Sequence, residues 1–140
     1  MTDSANANAG VFQDLTVVDV SGSVATSYAS KLFADYGALV INVEPRDGFD
    51  TRRLKPLLPS GDSAMHGYLH ANKHSVLASC TQFHEEPLAH TADLVIFDPD
   101  RLPNADYLLN IDTNTCAVSW YGLTGRYSNY KGYDATVHAL

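Results

Sequence analysis

The chain has 140 residues, nine Lys and Arg against sixteen Asp and Glu, a formal charge of −7 and 45% hydrophobic residues. That length and composition make one ordinary globular domain. The acidity excludes a general affinity for nucleic acid or anionic membrane, which are bound through clustered Lys and Arg. The longest apolar run, Leu94-Val95-Ile96-Phe97, is far short of the about 20 residues that span a bilayer. The start, Met1-Thr2-Asp3-Ser4-Ala5-Asn6, lacks the basic and apolar segments of a signal peptide. Cys80 and Cys116 stand outside any CxxC pattern, which reads as two free thiols in a reducing cytoplasm. Each falls at or near a strand end, where Cys behaves as a small buried apolar residue.

In chain order, residues 1–12 are small and polar and read as a disordered leader to a single domain over 13–140. Leu15 to Val20 is a β-branched run of strand length, and Ser21-Gly22-Ser23 supplies a turn and an N-cap. Ala25, Tyr28, Ala29, Leu32, Phe33 and Tyr36 recur at helical steps and predict the buried face of an amphipathic helix, closed by Gly37 at C′. Leu39 to Val43 is a second strand, ending in Glu44-Pro45. The unit is β-α-β, the crossover that parallel strands require.

Residues 46–66 are rich in Pro and Gly and read as an irregular excursion. Gly67 to Ala71 reads as a helical turn, Val76-Leu77-Ala78 as a short strand, and Phe83 to His90 as a short helix broken by Pro87. Asp93 to Phe97 is a strand, Tyr107-Leu108-Leu109 a short helix, Thr115 to Tyr121 another strand. Residues 122–133 form a loop, and Asp134 to Leu140 the first turns of a helix. Strands alternating with helices predict an α/β fold with a Rossmann-like parallel sheet.

Dinucleotide binding is the first chemistry to weigh. Glu44 lies 25 residues after Asp19, near the spacing of a ribose-binding acid, but the turn between strand and helix carries one glycine where G-x-G-x-x-G needs three. That argues against NAD or FAD. His66, His70 and His74 are spaced by four, yet no carboxylate or Cys completes a ligand set, so they read as solvated side chains and no metal is expected. No G-x-S-x-G or Cys–His pairing marks a nucleophile. Asp19 reads as a structural hydrogen-bond acceptor, and Lys31 and Lys55 as solvent-facing charges.

Several segments nevertheless occur in an informative order. Leu15 to Ser21 followed by Leu32 to Pro45 resembles the opening of the class III CoA-transferases (CaiB/BaiF). Gly48-Phe49-Asp50-Thr51-Arg52-Arg53 is similar to that family's G-x-D-x-T-R segment, Asn72-Lys73-His74-Ser75-Val76 to its N-K-R-S segment, and Ala92-Asp93-Leu94-Val95-Ile96 to its A-D-V strand. Gly122-Leu123-Thr124-Gly125-Arg126-Tyr127 through Gly132-Tyr133-Asp134 resembles G-x-T-G-P-Y…G-[YH]-D.

The resemblance implies the N-terminal part of an enzyme that moves CoA between carboxylic acids through a catalytic Asp. No Asp of this sequence matches that nucleophile, so no catalytic residue is assigned and the chain is expected to be inactive alone. Where the racemase branch places a catalytic His, Tyr133 stands, and a phenol is a poor base at neutral pH, which favours the formyl-CoA and carnitine CoA-transferase branch. The CoA-contacting positions that carry over are Val24 and Ala25 after the first strand, Arg46 after Pro45, and Ala78, Ser79, Cys80 and Thr81 on the adenine side. Asp98 and Arg101 follow the A-D-V strand, and Lys131 and Tyr133 stand in the tail. Asp98 and Asp100 put negative charge beside a polyanion, and Arg101 offsets part of it. Acyl-CoA is the implied substrate, and a homo-oligomer or a complementary C-terminal polypeptide the implied partner. The alternative is a non-catalytic interaction module that kept the fold and lost CoA.

Overall fold

A computed structural model describes residues 10–102 and 105–137. The first β-branched run forms β1 (Thr16–Asp19), and the expected crossover follows as α1 (Val24–Asp35) and β2 (Leu39–Glu44). Beyond them lie α2 (Ala64–Leu69), β3 (His74–Leu77), α3 (Pro87–Thr91), β4 (Leu94–Phe97), β5 (Asn114–Ala117) and α4 (Asp134–Val137). Short 3₁₀ helices occupy Asp50–Arg53, Cys80–Glu85 and Ala105–Asn110. The five strands lie in the order β3-β2-β1-β4-β5, and every neighbouring pair is parallel. The fold is therefore the expected α/β class with a Rossmann-like sheet. The chain builds outward from β1 to β3, then returns to place β4 on the other side of β1. The direction of winding thus reverses between β1 and β4.

Both sheet faces are covered, which is why the central strands read as nearly unbroken apolar runs. Val17, Val40 and Ile96 pack with Ala34 and Ala38 on the α1 face. Val18, Val43, Val95 and Phe97 point the other way, onto Phe83, Ala89, Leu102 and Leu108. Folded structure reaches back to Gly10, inside the segment read as a leader. Phe12 is the reason, since its ring packs 5.4 Å from Phe33 and 6.2 Å from Tyr36. Residues 1–9 of that leader lie outside the described residues.

Helix α1 begins where Ser23 Oγ accepts the Thr26 N–H and ends in a Schellman turn. Gly37 has φ +99° there, with Gly37 N donating to Ala34 O and Ala38 N to Phe33 O. Its orientation corrects the expectation from periodicity in part, since Ala29 and Phe33 of the predicted face do pack against the core. Thr26, Ser27, Ser30, Lys31 and Ala34 are buried, while Tyr28, Leu32 and Tyr36 are 47%, 43% and 58% exposed. The cause is Asp19, fully buried on the same sheet face, whose carboxylate needs donors. The helix turns its hydroxyl side to that carboxylate and leaves an apolar stripe facing outward. Lys31, read as a solvent-facing charge, is 8% exposed. Its ammonium pairs with Asp35 at 2.8 Å and lies over the Tyr68 ring.

Smaller departures have local causes. Pro87 starts α3 where it was expected to break a helix, because a first-turn N–H needs no partner and Pro has none. Cys116 is exposed on the edge strand β5. The helix expected to run to Leu140 is described to Val137, and residues 138–140 lie outside the described residues. Gly22 takes φ +58°, and a Cβ there would fall 2.1 Å from the Phe49 ring. Gly22→Ala combines left-handed strain with overpacking and is expected to cost about 2–4 kcal/mol. Urea denaturation reads this directly, and a loss below about 1 kcal/mol would contradict the wedge.

Candidate functional site

In open α/β sheets ligands bind beyond the carboxyl ends of the strands, at the point where the winding reverses. Here that point is built on Asp19. Its Oδ1 accepts the Ser21 and Gly22 N–H groups at 3.2 and 3.1 Å, which shapes the turn between β1 and α1. Ser21 Oγ in turn accepts the Asp98 N–H at 3.0 Å, hooking the loop after β4 to that turn. Asp98 Oδ1 accepts the Asp100 N–H at 2.9 Å. Between these loops opens a cavity of about 610 Å³, lined by Ser23, Val24, Ala25 and Tyr28 of α1, Asp98, Asp100 and Arg101 after β4, and Val118, Ser119 and Trp120 after β5. This volume is that of an ordinary small-molecule site.

A chain of polar side chains supports the cavity from behind. Lys73 Nζ donates to Ser30 Oγ at 2.8 Å and to Ser27 O at 2.7 Å. Ser30 Oγ lies 3.2 Å from Asp19 Oδ2. Burial raises the Asp19 carboxyl above the usual carboxylate range, against the pull of the turn N–H groups and Lys73. Burial likewise lowers Lys73 to about 8, the Asp19 charge opposing it.

The loop between β2 and α2 is anchored by Glu44, which is 2% exposed. Arg52 donates Nε and Nη2 to it at 2.7 and 2.6 Å, Ser75 Oγ donates at 2.6 Å and Phe49 N at 3.2 Å. Burial alone would raise the Glu44 carboxyl, but the bonds from Arg52, Ser75 and Phe49 outweigh it and hold it at about 2. Its acceptor capacity is spent on this loop and on Ser75 of β3, so the acid that spacing likened to a ribose ligand is structural.

The histidines also differ from the solvated side chains expected. His66 and His70 are half-buried on α2 with ring centroids 4.3 Å apart. Thr51 Oγ1 bridges them, 2.9 Å from His66 Nδ1 and 3.2 Å from His70 Nε2, and Asn42 Nδ2 donates to His70 Nδ1 at 2.8 Å. His74 is separated from them, on β3. Among the described residues no group of His, Cys, Asp and Glu is placed to hold a metal.

Of the positions carried over from the family resemblance, the cavity gathers Val24, Ala25, Asp98 and Arg101. Arg46 is exposed in the turn after β2. Ala78 lines a separate apolar groove of about 350 Å³ beside Val43, Leu77 and Phe83, and Ser79 follows it on the surface. The side chains of Cys80 and Thr81 lie outside the described residues. Lys131 and Tyr133 are exposed in the tail, Tyr133 by 70%. Sequence reasoning missed Tyr28, Ser119 and Trp120. The usable signal was Trp120, the single tryptophan, lying just past a strand's carboxyl end. It also missed Asp50, whose Oδ2 accepts from Arg101 Nη1.

Fold and cavity together define a doubly wound parallel-sheet domain with a ligand-sized crevice at its switch point. Residues 12–95 match the family model of CoA-transferase family III, and the chain belongs to that family. It is 32% identical over 161 aligned residues to the succinate–glutarate CoA-transferase of Agrobacterium fabrum, covering 100% of this chain and 40% of that protein. A CaiB/BaiF family protein from Brucella suis superposes with a TM-score of 0.74 at 24% identity, over 94% of this chain and 39% of that one. Rv3272 of Mycobacterium tuberculosis gives 0.71 at 24% identity, over 94% and 41%. The chain thus spans about 40% of the length of these relatives, a partial domain on the N-terminal side of the family.

Proposed function

We propose that this chain is the CoA-binding part of an enzyme that transfers CoA between carboxylic acids, with acyl-CoA as its ligand. One observation carries the reading. Segments that resemble the family's CoA-contacting positions, Val24-Ala25 and Asp98 to Arg101, come together at the switch-point cavity although they are far apart in sequence. Asp98 and Asp100 bring negative charge against a polyanion, and the other groups there suit such a ligand. Arg101 supplies a cation for phosphate, Ser23 and Ser119 supply hydroxyls, and Tyr28 and Trp120 supply ring faces. Arg46, Ala78, Ser79, Cys80, Thr81, Lys131 and Tyr133 extend the proposed contact surface beyond the cavity. No residue of the sequence matches the family's nucleophilic Asp, so this part contributes binding and not the covalent step, and acyl transfer by the chain alone is not expected.

Trp120 makes the test direct, because it is the only tryptophan and lines the cavity. CoA is expected to change its fluorescence with saturation in the micromolar range, and Lys131→Ala to weaken that binding several-fold. Calorimetry showing no heat at millimolar CoA would overturn the reading.

A second reading has its own observation. The outward stripe of α1, with Tyr28, Leu32 and Tyr36 about half exposed, is more apolar than a solvated helix face needs to be. It favours burial against a second copy or a complementary polypeptide, and in this reading the fold is an interaction module. No helix among the described residues is long and apolar enough to cross a membrane. The sparse cysteines fit the reducing cytoplasm we propose for it.

A further inference from the structure

Two arginines from opposite sides of the switch point converge on one carboxylate. Asp50 opens the 3₁₀ helix after β2, and its Oδ1 lies 3.4 Å from Arg53 Nη2 while its Oδ2 accepts from Arg101 Nη1. The Arg53 guanidinium is oriented by a second bond, and Arg101 is anchored through its backbone. Arg53 Nη1 donates to Asp47 O at 3.1 Å, and the Arg101 backbone is pinned by its N–H to Asp98 O at 3.1 Å. Phe49, next to Asp50, is wedged against Gly22 and is 3% exposed, so the backbone that carries Asp50 is anchored by the core while its side chain stays free to swing. Arg101 is at the same time part of the cavity wall.

We propose that Arg53 and Arg101 form a phosphate-binding subsite at the rim of the cavity, which Asp50 fills with its own carboxylate until a ligand displaces it. The chemistry of the cradle is that of an oxyanion clamp, with two planar forks meeting on one acceptor. A phosphomonoester or diphosphate carries more charge and more acceptor oxygens than a carboxylate and is the better occupant. Displacement costs little, because Asp50, Arg53 and Arg101 have side chains 61%, 62% and 48% exposed, and solvent-exposed ion pairs contribute little to stability. Asp50 is then a specificity device. It screens the two arginines from weak anions and yields to a polyvalent phosphate. Where the ligand is CoA this rests on the reading above, but the subsite is testable without it.

Calorimetry at low ionic strength would compare sodium pyrophosphate, CoA and pantetheine on the full chain, on Asp50→Asn and on Asp50→Asn combined with Arg53→Gln and Arg101→Gln. Removing the internal competitor is expected to tighten pyrophosphate about fivefold, the equivalent of one exposed ion pair. Pantetheine, which has no phosphate, should be unaffected, and the triple variant should lose the gain. Unchanged or weaker pyrophosphate binding by Asp50→Asn with an unaltered circular dichroism melt would overturn the proposal. So would an equal gain for pantetheine. A pyrophosphate gain with no CoA binding in any variant would support the subsite and sink the CoA reading. CoA binding that Asp50→Asn leaves unchanged would do the reverse.

Discussion

Arg52→Met is expected to destabilise the chain by about 2–4 kcal/mol, the cost of leaving a buried carboxylate without its partner. The argument starts from Glu44, the last residue of β2, which is 2% exposed and holds its charge because Arg52 meets it with two short bonds. Met keeps much of the length and apolar stem of Arg and removes only the fork. Glu44 would then retain Ser75 Oγ and Phe49 N but lose the countercharge. Water gains access only partly, since Arg52 itself is about half exposed, which keeps the expected loss below that of a fully enclosed pair. Adding Glu44→Gln to Arg52→Met should recover part of the loss, because a neutral amide in that place needs no cation. Urea denaturation of the three variants measures the coupling. A loss below about 1 kcal/mol for Arg52→Met would mean that the pair holds the loop's conformation without contributing to stability. The consequence reaches the cavity, because the same loop carries Phe49 under Gly22 and Asp50 against Arg101.

The strands were legible because a sheet covered on both faces demands continuous apolar runs, and Leu15 to Val20, Leu39 to Val43 and Asp93 to Phe97 supply them. The facing of α1 was not legible. Its apolar stripe is real, but which side a helix turns inward depends on what the sheet presents, and Asp19 presents a buried carboxyl that the hydroxyls of Ser30 and Thr26 serve from α1. The spacing of four does stack His66 and His70 at 4.3 Å, so reading them as solvated side chains gave the spacing too little weight. The spacing does not extend to His74, because Asn72 takes φ 63° and turns the chain from helix into β3. At the site, Val24, Ala25, Asp98 and Arg101 came from segment resemblance, and their convergence follows from the strand order. Asp50 and Trp120 required the geometry. Asp50 lies in a segment that resemblance had marked without assigning it a partner, and an ion pair over 51 positions leaves no local pattern.

Acidification from neutral pH is expected to destabilise the fold well before ordinary carboxylates protonate. His70 is the reason. Burial lowers it to about 3, helped by the charges of Lys73 and His66. Its neutral form accepts from Asn42 Nδ2 and, through Thr51, shares a bridge with His66, so an added proton on Nδ1 would face the Asn42 amide hydrogens. In the unfolded chain the same imidazole takes up its proton near 6.5. Between 6.5 and about 3 the unfolded state therefore binds more protons, and stability falls as pH falls, by about 1.4 kcal/mol per pH unit and proton once the unfolded His is fully charged. His66 is lowered as well, first by burial and then by Arg52, and acts in the same direction. Glu44 adds a second segment, because it stays charged to about 2 when folded and protonates near 4.5 when unfolded. Asp19 works the other way, since its raised carboxyl binds a proton in the folded state first. One group opposes three, so the net slope is toward acid lability. Urea midpoints at pH 7.5, 6.0, 5.0 and 4.0 would trace it, these being about the pH values that separate the His and Glu windows. His70→Gln should flatten the segment above pH 4.5 and leave the Glu44 segment below it intact. A flat profile from pH 7 to 5, or an unchanged slope in His70→Gln, would show that α2 tolerates a charged imidazole. In that case the surroundings of His70, Asn42 and Thr51 among them, would have to admit water enough to solvate that charge, and the stacked pair would no longer account for how α2 is seated on the sheet.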